Sequence, residues 1–187
     1  KRMGDISYQT LSSISESPFR FGLIYAGTDD GRLHRTKDGG KTWTEILNGV
    51  PRNKWISRVV ASAYDLGTVY MAQNGKRDDD FQVYVWKSVD LGDSWKDISG
   101  NIPIGPVNVI REDPIDKNII YVGTDIGVYV SKDGGKTYSV LGDLPSTYVH
   151  DLVIHPRDNI IIIATHGRGI WVLDANMVNG GFRPSRW

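Results

Sequence analysis

Apolar positions fall in short runs that end at turn residues and recur in a fixed order. The clearest runs are Leu23-Ile24-Tyr25-Ala26-Gly27, Thr68-Val69-Tyr70-Met71-Ala72 and Ile119-Ile120-Tyr121-Val122-Gly123. They are rich in the β-branched and aromatic types that suit a pleated surface. A second run follows each, over 32–36, 83–88 and 128–131, and a third over 43–47, 95–98 and 138–141. A further run precedes the central ones, as in Val59-Val60-Ala61 and Val107-Asn108-Val109-Ile110. Labelled A to D in chain order, these runs predict units of four strands. A last unit shows three of them, at 149–154, 160–165 and 169–173. No stretch of about fifteen residues carries helical periodicity behind a cap, so the prediction is all-β.

Between runs C and D stands a repeated octapeptide. It reads Thr36-Lys37-Asp38-Gly39-Gly40-Lys41-Thr42-Trp43, then Ser88-Val89-Asp90-Leu91-Gly92-Asp93-Ser94-Trp95, then Ser131-Lys132-Asp133-Gly134-Gly135-Lys136-Thr137-Tyr138. Successive aromatic ends are 52 and 43 residues apart, which is the length of one propeller blade of four short strands. The expected architecture is therefore a β-propeller of four-stranded antiparallel blades, a partial ring belonging to a larger propeller. Residues 1–7 are expected to supply the last strand of a preceding blade, because 3–7 line up with 95–99. Residues 8–174 hold three full blades and three strands of a fourth, and 175–187 form a tail.

In the octapeptide turn, Gly takes backbone angles that a Cβ forbids, and the Asp carboxylate accepts nearby N–H groups. Asp38, Gly40, Trp43, Asp90, Gly92, Trp95, Asp133, Gly135 and Tyr138 are accordingly structural, with the aromatic packed into the blade. A calcium loop of the helix–loop–helix kind needs several alternating acids and a closing Glu, which these turns lack. No metal site and no cofactor are expected.

These octapeptides resemble the Asp boxes, or bacterial neuraminidase repeats, of sialidases, xyloglucan-cleaving glycosidases, the sortilin ectodomain and photosystem II assembly factors. The segment Ala164-Thr165-His166-Gly167-Arg168-Gly169-Ile170-Trp171-Val172-Leu173-Asp174, with Gly27-Thr28-Asp29-Asp30-Gly31 upstream, resembles the C-terminal part of large bacterial sortilin-like repeat proteins. Many of those are described as glycosyl hydrolases. The resemblance implies the propeller fold and an extracellular, periplasmic or cell-surface location.

Charge narrows the partners. The 22 basic and 22 acidic residues cancel, and no like-charge run marks a nucleic-acid arm, so nucleic acid is not an expected partner. No run approaches the roughly 20 apolar residues of a membrane span. The opening residues lack an apolar signal segment, which places any export signal outside this chain. There are no cysteines to form disulfides or thiolate metal sites.

Strand alternation puts the B–C and D–A connections on one face and the octapeptides on the other. The B–C connections, 28–31, 73–80, 124–127 and 165–168, all carry charge. The candidate binding residues on that face are Trp55, Arg77, Asp78, Tyr148, His166 and Arg168; the aromatic groups can stack on a sugar ring or anchor a peptide. Acids there also include Asp29, Asp30, Asp79, Asp80 and Asp125, none in a pattern that separates an acid from a nucleophile. Too few loop arginines are present for a sialidase. The leading expectation is a non-catalytic module that binds a protein, peptide or glycan; the alternative is part of a secreted glycoside hydrolase acting on polysaccharide. The remainder of its own propeller, or another chain, is expected to complete the ring.

Overall fold

A computed structural model describes residues 9–180. They form four antiparallel sheets, each made of strands consecutive in the chain. The first blade is β1 (Leu11–Glu16), β2 (Ile24–Thr28), β3 (Leu33–Thr36) and β4 (Thr44–Glu45). The second is β5 (Trp55–Ala61), β6 (Val69–Asn74), β7 (Tyr84–Ser88) and β8 (Lys96–Asp97). The third is β9 (Val107–Glu112), β10 (Ile120–Thr124), β11 (Val128–Ser131) and β12 (Ser139–Val140). The fourth holds β13 (Val149–His155), β14 (Ile160–Thr165) and β15 (Ile170–Asp174). This is the expected propeller architecture, with D strands of only two residues. The strand expected from residues 1–7 lies outside the described residues. Residues 175–180 are more than a tail: α1 (Asn176–Asn179) seats Ala175 and Val178 in the core between the third and fourth blades.

The blades pack in chain order, chiefly through their first strands. Tyr25, Leu33 and Ile46 of the first blade meet Ile56, Val59 and Met71 of the second. Tyr70 and Val85 meet Ile110, Ile120 and Val122 at the next boundary, and Tyr121 and Val128 meet Leu152, Ile161 and Ile163 at the last. Successive strand residues point to opposite faces. A central blade is covered on both, so β6 and β10 are buried at every position. The end blades bury one face only, and β2 alternates. Their other faces leave Leu11, Ile14 and Trp43 exposed at one end, and Val153, Ile170 and Val172 at the other.

The three octapeptide turns have the same wiring. The Thr36, Ser88 and Ser131 hydroxyls donate to Oδ1 of Asp38, Asp90 and Asp133 at 2.7, 2.7 and 2.8 Å. The Thr42, Ser94 and Thr137 amides donate to the same Oδ1 atoms at 2.9 Å, and their hydroxyls to Oδ2 at 2.6 Å. These donors hold the Asp38 and Asp133 carboxyls well below the usual range and bring Asp90 down to about 2. The aromatic that follows docks not into its own blade but onto the preceding one. Trp95 Nε1 donates to the Ile46 carbonyl at 2.7 Å, and the Tyr138 hydroxyl donates to the Ile98 carbonyl at 2.9 Å. Gly92, at φ +95°, leaves the room this needs, since a Cβ there would lie 2.5 Å from Ile46 Cδ1. Trp43 instead turns its indole N–H back to the Gly40 carbonyl, at 3.1 Å.

Candidate functional site

The B–C and D–A face carries two clusters, joined by one turn. Asn74 ends β6, and its Oδ1 accepts the Lys76 amide at 3.0 Å. The Gly75 carbonyl then accepts the amides of Asp78 and Asp80, which winds 76–78 into a 3-10 turn. Asp79 closes the turn in the left-handed region, at φ 56°. Asp80 pins the far side: its Oδ2 pairs with Lys54 at 2.7 Å and accepts the Tyr84 hydroxyl at 2.8 Å. The long connection is therefore a fixed platform, and consecutive residues Lys76 and Arg77 reach the two different clusters.

Arg77 belongs to the first cluster. Its guanidinium lies 4.9 Å from the Trp55 ring centroid, a cation–π contact, and Nη1 donates to Asp29 Oδ2 at 3.1 Å. Asp29 Oδ1 accepts the amides of Gln9 and Thr10 at 3.0 and 2.8 Å. Burial pushes the Asp29 carboxyl up, but the Thr10 amide, Arg77 and the Gln9 amide together hold it below its ordinary value. Asp29, Asp30, Arg52, Trp55, Asn74, Arg77 and Asp78 line a cavity of about 310 Å³. Trp55 Nε1 is buried without an acceptor, a donor whose desolvation is uncompensated. Asp78 has no ion-pair or side-chain hydrogen-bond partner among the described residues.

Lys76 belongs to the second cluster. Its Nζ pairs with Asp125 Oδ2 at 2.7 Å and stands 4.9 Å from the Tyr148 ring centroid. Asn108 Nδ2 donates to Asp125 Oδ1 at 2.9 Å, while Asn108 Oδ1 accepts Asn74 Nδ2 at 2.8 Å and the Tyr148 hydroxyl at 3.2 Å. Tyr148 meets His150 and His166 edge-on, with centroids 4.7 and 6.2 Å away. The two imidazoles approach at 3.4 Å between His150 Nε2 and His166 Nδ1. The hydrogen bond to Asp125 raises the Lys76 pKa against desolvation, and burial raises that of Tyr148. Among the described residues, no group of three or more His, Asp or Glu side chains is placed to hold a metal ion.

Trp55, Arg77 and Asp78 thus share one cavity, and Tyr148 and His166 share the other cluster. Arg168 joins neither; its carbonyl accepts Trp171 Nε1 at 3.1 Å, and its side chain is exposed. Sequence reasoning missed Asn74, Lys76, Asn108 and His150. Asn108 and His150 lie at the loop-face ends of A strands, the same place as Trp55, and that register was the signal available. Asp29 and Asp80, the acids of this face with shifted pKa values, are both lowered, Asp80 by the Lys54 contact against burial, then by the Gln82 amide and the Tyr84 hydroxyl. The same partners favour the charged form of both and occupy both of their carboxylate oxygens.

No known family model matches the chain. A xyloglucanase of Hypocrea jecorina (strain QM6a) is 30% identical over 148 residues, covering 70% of this chain and 18% of the relative. The chain therefore spans under a fifth of the length of that curated relative. Among solved structures, the GH74 enzyme of Niastella koreensis superimposes with a TM-score of 0.71 at 18% identity, over 91% of this chain and 29% of that one. YCF48 bound to D1 peptide superimposes with a TM-score of 0.59 at 18% identity, over 89% of this chain and 50% of that one. Likeness at such identities establishes the propeller fold and no more.

Proposed function

We propose that the loop face holding Trp55 and Arg77 binds a polysaccharide of the xyloglucan type, as part of a secreted glycoside hydrolase built on this propeller. The observation that carries this is the 310 Å³ cavity, in which the Trp55 ring, the Arg77 guanidinium and the carboxyl groups of Asp29, Asp30 and Asp78 converge. A sugar ring stacks on an aromatic and offers hydroxyls to such groups. On sequence alone a non-catalytic binding module leads; the related xyloglucanase favours the hydrolase reading instead. Hydrolysis requires a second carboxyl kept protonated, whereas Asp29 is held ionised. The described blades then supply substrate contacts and one unpaired carboxylate, Asp78, and the proton donor comes from elsewhere in the ring. Membership of the Asp-box, sortilin-like group and a place outside the cytoplasm are the finer parts of this proposal. So is the completion of the ring: the apolar outer faces at Leu11 and Ile14 and at Val153 and Val172 fit further blades, in the same polypeptide or in another chain.

Titration with xyloglucan and cello-oligosaccharides tests the reading. Binding is expected, weakened about tenfold or more by Trp55→Ala, in keeping with the loss of a buried aromatic anchor. Absence of binding to every oligosaccharide, or binding indifferent to both Trp55→Ala and Arg77→Ala, overturns it.

A further inference from the structure

The first strands of the blades line the channel of a propeller, and three of them bring charges together there. Arg58 comes from β5, Arg111 from β9 and Asp151 from β13. Arg58 Nη2 and Arg111 Nη2 each lie 3.0 Å from Asp151 Oδ1. That same oxygen also accepts the Leu152 amide at 2.9 Å. Arg111 Nε is satisfied by the Leu152 carbonyl at 2.9 Å, but Arg58 Nε is buried with no acceptor. Among the described residues, Asp151 is the only carboxylate paired with either arginine. Two cations thus share one oxygen of one anion, in a setting where their side chains are only 23% and 24% exposed.

The arrangement leaves one positive charge unbalanced and one guanidinium donor unused. Proximity of two guanidiniums in a partly desolvated place is unfavourable unless an anion offsets it. The fork of a guanidinium matches a carboxylate in plane and spacing. Asp151 follows His150, at the register shift between Val149 and Asp151 near the loop-face end of β13.

We propose that Arg58 and Arg111 form a second binding site, in the channel, for a carboxylate. Its source is either a uronic-acid sugar or a small free carboxylate. The site is separate from the Trp55 cavity and stands or falls independently of the xyloglucan reading.

Ligand-detected NMR titration of the whole chain with glucuronate, glucose and acetate is the test, with chloride as competitor. Glucuronate is expected to bind about tenfold or more tightly than glucose, because only the former gains a charge-assisted bond, and chloride is expected to displace it. Acetate binding as tightly as glucuronate identifies the free carboxylate as the ligand; acetate binding more weakly identifies the sugar acid. Arg58→Gln is expected to abolish the preference. Asp151→Asn is expected to strengthen it, by removing the competing carboxylate, and a gain of affinity cannot arise from misfolding. Equal binding of glucuronate and glucose, or glucuronate affinity that Asp151→Asn leaves unchanged or lowers in a folded protein, overturns the proposal.

Discussion

Trp95 donates its indole N–H across a blade boundary to the backbone carbonyl of Ile46, at 2.7 Å. Tyr138 repeats the relationship one blade later with the Ile98 carbonyl. The octapeptide is therefore a device for joining blades as much as for turning the chain. Trp43, the equivalent residue of the first blade, is 44% exposed and bonds within its own turn. Trp95→Phe is expected to cost about 1–2 kcal/mol, the worth of a hydrogen bond whose acceptor is left unpaired. Trp43→Phe is expected to stay within about 0.5 kcal/mol. Urea denaturation of both variants checks the contrast, and equal losses refute it.

Gly92→Ala places a methyl 2.5 Å from Ile46 Cδ1 at a positive φ. Overpacking and backbone strain together predict a loss of about 2–4 kcal/mol. Gly39 also has a positive φ, but open space around it, so Gly39→Ala should lose only the conformational part, about 1–2 kcal/mol. Thermal melts of the pair separate the two contributions.

Acid sensitivity follows from Asp90. The Ser94 and Ser88 hydroxyls and the Ser94 amide hold its carboxyl at about 2, against about 4 in an unfolded chain. A depressed folded pKa gives stability that is complete above the unfolded value and is lost as pH falls through the folded one. The urea midpoint should thus decline between about pH 4 and about pH 2, and Asp90→Asn should flatten that part of the curve. A variant as steep as the parent there would show that other groups set the slope.

The C-terminal helix depends on Asp113. This buried carboxylate accepts the Ile115 and Asp116 amides, the Tyr121 hydroxyl at 2.8 Å and Asn179 Nδ2 at 3.1 Å. Asp113→Ala leaves the Tyr121 hydroxyl buried without that acceptor, and a loss of about 2–4 kcal/mol is expected. Amide exchange at residues 175–179 should rise more than in the first blade; uniform acceleration would count against a local role.

How much of this was legible in the chain depends on what each residue faces. The B and C strands were plain because the central blades bury both faces, so that β6 and β10 are buried at every position and open with the apolar runs 69–72 and 120–122. β1 was not located, since Leu11–Glu16 contains three serines. The Ser13 and Ser15 hydroxyls accept the Val59 and Ala61 amides, so the strand packs by hydrogen bonding where others use apolar side chains. The candidate face was legible from strand direction. Its division into two clusters was not, because that depends on the Lys76–Arg77 turn, whose shape comes from hydrogen bonds to Asn74 and Gly75 that no spacing rule encodes.

Because the joint between blades ends on a main-chain carbonyl, it places no demand on the identity of the residue that receives it. A whole unit can be duplicated or excised at an octapeptide, and the aromatic that follows still finds a carbonyl at the same place in whatever unit comes before. Each unit packs mainly against its neighbours, so the change is felt chiefly at one boundary, as in other nearest-neighbour repeat arrays. Recombination can then alter the number of blades in a lineage without any intermediate in which a joint is broken.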